Sequence, residues 1–247
     1  MNRLLIACCC LFVAQGAYAY DEHCMPGLAV PTQIDEQNLE ASIAHRFSRT
    51  PGPDFPDNFI QFANVRLGLR YVVLPRLEVG TSYQFFQKEY TFHGAYSLFL
   101  PDLFLRTQAL VQFFGAKHDI DNGWDHNLLY QLNLQSEPLA GRLLPAVNLV
   151  FDGLSQKAGL GTGLDVVVTD NVDLVGEYYP VLGKRDTLFD GKQVVNCFQA
   201  GVRFTTAGHH FTLTIGNTYE IGIRRLMAGT ASNTIYYGFN IERLFSL

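Results

Sequence analysis

The stretch R66-LGLRYVVLPRLEVGTSYQ-F85 sets Arg66, Arg70, Arg76, Glu78, Ser82 and Gln84 at even positions between Leu67, Leu69, Tyr71, Val73, Leu77, Val79 and Tyr83. A two-residue alternation is the signature of a β-strand whose faces meet different surroundings. The same period recurs downstream. Residues 103–114 separate Leu103, Leu105, Ala109, Val111 and Phe113 from Arg106, Gln108 and Gln112. Residues 126–135 separate Leu128, Tyr130, Leu132 and Leu134 from Asn127, Gln131, Asn133 and Gln135.

Twelve such segments follow one another: 39–48, 62–73, 76–86, 89–100, 103–114, 126–135, 142–151, 159–168, 172–180, 194–205, 209–217 and 235–245. None shows sustained apolar residues at helical spacing, so essentially no helix is predicted after the first residues. The connections alternate in length. Links such as 74–75, 100–102, 169–171 and 206–208 are short, whereas 49–61, 115–125, 152–158, 181–193 and 218–234 are longer and read as exposed loops; the tight link at 87–88 is the exception. Short turns at one end and long loops at the other, on segments of about ten residues, describe an antiparallel transmembrane barrel. Closure pairs every backbone group, which hydrocarbon requires. The polar faces carry repeated Arg, Gln and Asn, and aromatic residues sit near segment ends, as interfacial girdles do. The expected fold is therefore all-β, a closed twelve-stranded antiparallel barrel with its apolar face outward. The competing reading, a soluble sandwich or lipocalin-like barrel with the apolar face inward, fits poorly with arginines on successive polar faces.

The chain has 247 residues, 18 Lys+Arg and 23 Asp+Glu. The mildly acidic balance and the lack of a basic cluster exclude a nucleic-acid partner. The opening MNRLLIACCCLFVAQGAYAY pairs Arg3 with an apolar run from Leu4 to Val13 and a small-residue cleavage site at Ala17-Tyr18-Ala19. It reads as a signal peptide over 1–19. Residues 20–38 are then an amino-terminal periplasmic or lumenal segment, and 39–247 the barrel. Two cysteines, Cys24 and Cys197, remain in a compartment that permits disulfides. Cys24 precedes the first strand by a tether reaching at most roughly 50 Å. Residues 20–38 are expected to fold into the lumen, where the two cysteines either pair or stand as unrelated thiols.

The closing segment TIYYGFNIERLFSL places Tyr237, Phe239, Ile241 and Phe245 on one face. It resembles the last strand of bacterial outer-membrane barrels, an aromatic-alternating motif read by the barrel assembly machinery. Leu247 stands where such chains usually carry Phe, and Arg243 interrupts the apolar face. NVRLGLRYVVLPRLEVG, HHFTLTIGNTYE and YYGFNIERLF together resemble an uncharacterised family of small outer-membrane β-barrel proteins. The resemblance implies a location in the bacterial outer membrane and a fold, with the bilayer and the assembly machinery as partners, but no catalytic residues. A lipid-facing subunit interface would have the composition of lipid-facing surface, so the pattern specifies no oligomeric state.

Candidate chemistry concentrates on the polar faces. The predicted lumen set is Arg66, Arg70, Arg76, Glu78, Arg106, Gln108, Gln112, Gln131, Asn133, Asp165, Asp173, Glu177, Gln199, Arg203, Asn240 and Glu242. Rings of such side chains could line a narrow mixed-charge pore or form an ion-paired filling. Twelve strands lie between the eight whose interior side chains fill and the sixteen that enclose a channel. Gly159, Gly161 and Gly163 share the lumen face and leave space there, so either a strand bends or something packs into the gap. No phosphate cradle is read from them, because no helix and no GK[ST] follow. His210 and Thr212 share a polar face without a third member, and His93 and Ser97 stand about 13 Å apart at strand rise, so no enzyme activity is expected. Adjacent His209 and His210 point to opposite faces. The acidic stretch His118, Asp119, Asp121, Asn122, Asp125 lacks EF-hand spacing. Neither a metal nor a cofactor is predicted. The first functional reading is a narrow channel for passive passage of small polar solutes. A non-conducting structural or partner-binding barrel, using the 218–234 loop, comes second, and a lipid-modifying enzyme third.

Overall fold

The computed structural model describes residues 25–31, 34–47, 63–117, 123–183 and 194–247. Twelve strands follow the alternation: β1 (Asn38–Phe47), β2 (Ala63–Leu74), β3 (Leu77–Gln84), β4 (Glu89–Leu100), β5 (Leu105–Lys117), β6 (Trp124–Ser136), β7 (Leu143–Asp152), β8 (Lys157–Thr169), β9 (Val172–Tyr179), β10 (Cys197–Thr206), β11 (His209–Gly216) and β12 (Tyr236–Ser246). Each pairs antiparallel with its sequence neighbours, and β1 pairs with β12 from Asn38↔Ser246 to Arg46↔Gly238, closing the barrel. Closure leaves no sheet edge.

Side-chain parity is inverted relative to a soluble protein. Leu67, Leu132 and Leu213 are 42%, 42% and 60% exposed. Asn133, Asn148 and Asp165 are 0% exposed. The apolar set faces outward and the polar set inward, which excludes the soluble sandwich. Aromatic side chains gather near strand ends: Tyr90 packs 5.4 Å from Trp124, and the Phe113 ring stacks on His126 at 5.8 Å. At the end with short turns the chain reverses through left-handed residues, Arg76 (φ 74°), Phe104 (φ 48°), Ala140 (φ 49°) and Gly208 (φ 74°) among them. Three of the four are not glycine, so these reversals hold backbone strain that ordinary turn residues would avoid.

The structure adds elements that the period-two pattern does not contain. A short 3-10 helix (Pro101–Leu103) makes the β4–β5 turn, and an α-helix, α1 (Ile223–Leu226), interrupts the link between β11 and β12. The expectation of essentially no helix holds among the described residues, these two brief elements being too short for helical periodicity to show. Among the described residues no helix is long and apolar enough to cross a membrane. The 218–234 link is corrected. It is not an exposed loop: Thr218, Ile221, Ile223, Leu226 and Met227 are all buried, Leu226 completely. Ile223, Leu226 and Met227 join Met25, Leu28, Val30, Phe114, Leu129, Val150, Tyr179 and Cys197 in an apolar cluster inside the barrel.

Candidate functional site

The lumen is built from three layers of interaction. The first is a set of ion pairs across strands. On β2, Arg70 forks onto Glu40 of β1, with Nε–Oε1 at 2.8 Å and Nη2–Oε2 at 2.6 Å. Its Nη1 reaches Glu78 at 3.4 Å, and Glu78 also meets His93 Nε2 at 3.0 Å. Across the barrel, Arg203 Nη2 lies 2.5 Å from Asp165 and 2.6 Å from Asp173. Bidentate pairing of this kind is what a planar guanidinium does best, and it offsets the desolvation of buried charge. β5 and β6 supply a neutral ladder instead, in which Asn133 donates to Gln108 at 2.9 Å and Gln108 to Ser97 at 3.3 Å.

The second layer is the amino-terminal segment. The backbone N–H groups of Gly27 and Leu28 donate to Glu177 Oε1 at 2.8 and 3.0 Å. Asn148 accepts from Ala29 N–H at 2.9 Å and donates to Ala29 O at 2.7 Å, acting as a side-chain substitute for a strand partner. Asn240 and Arg46 donate to Pro26 O at 3.2 and 3.5 Å. The segment runs over the glycine stripe of β8. A Cβ at Gly163 would meet Leu28 at 2.5 Å and Met25 at 2.6 Å, and one at Gly161 would meet Leu28 at 2.5 Å. Of the two explanations for the stripe, packing into the gap is the one realised.

The third layer is the inward link around α1. The Met227 side chain occupies the space that a Cβ at Gly159 would need, so the stripe also receives this element. Arg224 and Arg225 both pair with Glu89 of β4, and the Arg224 guanidinium sits 4.3 Å from the centre of the Phe114 ring. Asn64 Nδ2 donates to Tyr219 O at 3.0 Å. Glu220 has its carboxyl raised above the ordinary value, chiefly by burial and partly by Glu89, against the opposing pull of Arg225, Gln87 and Arg224.

These elements fill the side bounded by β7–β10 and leave a cavity of about 210 Å³ against β12 and β1–β6. Its lining includes Arg66, Arg70, Glu78, Gln112, Gln131, Asn240 and Glu242 from the walls and Leu28, Ile223 and Arg224 from the inward segments.

A closed membrane-exposed barrel with this interior meets a matching family. The family model described as "Membrane bound beta barrel domain (DUF5777)" matches residues 30–100 and 148–245, about two thirds of the chain. The chain belongs to this family. It is an outer-membrane β-barrel, since barrels of this type are built for outer membranes. The Acinetobacter baumannii outer membrane protein Omp33 superposes with a TM-score of 0.50 at 10% identity, covering 85% of this chain and 98% of that one. A chain solved in connection with in-meso crystallization of membrane proteins gives a TM-score of 0.47 at 12% identity, covering 85% and 84%. The likeness to Omp33 is one of fold. No curated protein matches by sequence.

Within the family barrel, most of the predicted lumen set is buried on the inner face: Glu78, Gln108, Gln112, Gln131, Asn133, Asp165, Asp173, Glu177, Gln199, Arg203, Asn240 and Glu242. Arg66 and Arg70 face the cavity. Two residues depart. Arg76 is exposed on the β2–β3 turn, because the register shifts between Val72 and Leu74 and ends the alternation before it. Arg106 sits at the turn-side rim, about one third exposed and paired with Glu137 at 2.5 Å. The paired-cysteine alternative falls on Cys24, which lies outside the described residues; its neighbour Met25 shares the apolar cluster with buried Cys197. His118, Asp119, Asp121 and Asn122 also lie outside them. His210 and Thr212 are both buried in the lumen wall.

Sequence reading missed Glu40, Arg46, Glu89, Arg224 and Arg225. The first two were legible, since Glu40, Ser42, Ala44 and Arg46 share one parity of β1. Glu89 likewise shares parity with Thr91 and His93. Arg224 and Arg225 carried no periodic signal, because they belong to a link that folds inward.

Proposed function

We propose that this barrel is a narrow, partly occluded channel for small polar solutes. What supports the reading above all is the cavity of about 210 Å³ bounded by Arg66, Arg70, Glu78 and Gln112, beside inward segments held by discrete polar contacts. A lumen meant only as a solid core gains nothing from a charged void, which costs desolvation without packing. In the channel, passage depends on rearrangement of the α1 link, whose attachment to the β1–β6 wall includes the Glu89 ion pairs, the Asn64 contact, the Gln87–Glu220 hydrogen bond, the Phe86–Tyr219 ring contact and the Arg224–Phe114 contact. The second reading, a non-conducting barrel, draws on the apolar cluster that fills the other side of the lumen.

Planar-bilayer recording separates the two. The full chain is expected to show small, intermittent conductance, and a variant with residues 219–233 replaced by a short Gly-Ser linker a several-fold larger, steadier one. Silence in both proteins, each shown to be folded and inserted, rejects the channel.

A further inference from the structure

The cavity opens along a row of small side chains that ends on a carboxylate. From β12 across to β4 the register aligns Glu242, Ser42, Gly68, Ser82 and Thr91. Gly68 has no side chain to fill the row, and the Ser42 hydroxyl leans over it, 2.5 Å from where a Cβ would lie. Ser82 and Thr91 share a hydrogen bond at 2.7 Å, and Ser82 accepts another from Arg66 Nε at 3.0 Å. Glu242 is 7% exposed and lines the cavity. Asn240 hydrogen-bonds its carboxyl group, yet its Oε2 has no hydrogen-bond partner among the described residues.

The charges around that carboxylate do not balance. The cavity wall carries four carboxylates, Glu40, Glu78, Glu89 and Glu242, against three guanidiniums, Arg66, Arg70 and Arg224. Two of the three cations belong to the loop end, where Glu89 pairs with Arg224 and Arg225 and acts on Arg66. The cations that act on Glu242 are Arg203, Arg70 and Arg46. Each is engaged elsewhere. Arg203 holds Asp165 and Asp173, and Arg70 holds Glu40 and Glu78. Arg46 donates to Gln199 and Asn240 and also acts on Glu177. Among the described residues three guanidiniums thus serve six carboxylates, and Glu40 and Glu242 stand within repulsive reach of each other. The residues opposite Glu242 in register, Ser42 and His210, carry no permanent positive charge. The unmatched charge is negative, and it belongs to a side chain on the cavity wall.

We infer that the cavity is a binding site for a compact organic ammonium ion, held by the Glu242 carboxylate. An ammonium group directs its N–H donors at Oε2 and at the Ser42 hydroxyl, and it removes the cost of an unmatched buried anion. The inward segments contribute Leu28 and Ile223 as apolar surface for a short carbon chain. The volume, about 210 Å³, is below the roughly 300 Å³ at which pockets for larger ligands begin, so the ligand has few carbons. This deepens the channel reading by naming the class of solute and rests on it for a route in and out, but binding is measurable without conduction.

The test is calorimetric titration of the purified full-length barrel, in uncharged detergent micelles and phosphate buffer, with propylammonium chloride. Propan-1-ol and sodium propionate serve as neutral and anionic solutes of similar size. Saturable propylammonium binding is expected, with propan-1-ol at least about tenfold weaker and no saturable binding of propionate. Glu242→Gln is expected to weaken propylammonium binding by about tenfold or more, the order lost with one charge-assisted contact, and to bring it near that of propan-1-ol. Glu137→Gln at the turn-side rim leaves binding unchanged. Ser42→Leu, which fills the gap and keeps Glu242, abolishes binding as well and serves as the deciding variant if Glu242→Gln does not fold. Absence of saturable propylammonium binding to the unmodified barrel, equal binding by Glu242→Gln, or propionate bound as tightly, overturns the site. Binding without conductance keeps the site and removes the channel; conductance without binding does the reverse.

Discussion

At the scale of single residues, the barrel interior shows how buried charge is tolerated when it is fully matched. Arg203 is 1% exposed and holds Asp165 and Asp173 together across β8, β9 and β10. Replacing it with methionine leaves two carboxylates in a site with little water. The expected cost is about 3–5 kcal/mol, the range for removing one partner of a buried ion pair. Urea unfolding from lipid vesicles measures it. Adding Asp165→Asn and Asp173→Asn to Arg203→Met should recover much of the loss, and failure to recover would mean that the arginine acts through packing alone. Arg243 offers the contrast: it sits on the outward parity of β12 yet is buried, because it lies 2.8 Å from His209 Nδ1 and its guanidinium is 5.5 Å from the Phe245 ring. What interrupts an apolar face in the sequence is, in the fold, a cation covered by aromatic neighbours near the turn-side rim.

At the scale of elements, the two inward segments depend on complementary surfaces. The glycine stripe of β8 exists to be covered, and Gly161→Val places a branched side chain where Leu28 already lies 2.5 Å from the Cβ position. The expected outcome is displacement of Met25–Val30, read as faster protease cleavage near residue 30 in the folded, inserted barrel, with the twelve strands intact by circular dichroism. The α1 link carries a pH dependence of defined sign. Burial raises Glu220 above its ordinary value of 4.5 when the link is seated, so the seated form binds a proton more tightly than the released form. Seating is strongest at low pH and weakens as pH rises through the seated value. Conductance is therefore expected to be lowest in acid and to grow over the weakly acidic range above 4.5. Arg224, Arg225, Glu89, Tyr219 and Gln87 face this carboxyl. Glu220→Gln should flatten its contribution to the profile, and an unchanged profile in that variant assigns the effect to another group.

At the scale of the whole molecule, the outward band decides where the protein can live. Leu213, at the middle of β11 and 60% exposed, is flanked by Val202 and Phe239 on the neighbouring strands. Leu213→Arg puts a cation against hydrocarbon at mid-depth, with an expected loss of about 2–4 kcal/mol in vesicle unfolding. The same substitution at Leu247, beyond the end of β12, should cost about 0–1 kcal/mol. Equal costs at the two depths would contradict a transmembrane band.

The amino-acid sequence by itself determined the strand count, the ladder order and which side chains turn inward. Each follows from a period-two pattern and from alternating link lengths, which are local properties of a chain that must pair every backbone group in lipid. The glycines of 159–163 even announced a gap. Only the tertiary structure decided what fills it, because the fillers, Met25–Val30 and Ile221–Met227, are short and aperiodic and find their places through contacts with residues far away along the chain, as in Gly27 to Glu177. The same holds for the site. Arg66 was legible as an inward arginine, but its hydrogen bond to Ser82 and its place on the cavity wall are properties of the closed barrel, set by which strands stand beside it and by where Arg224 and Arg225 arrive.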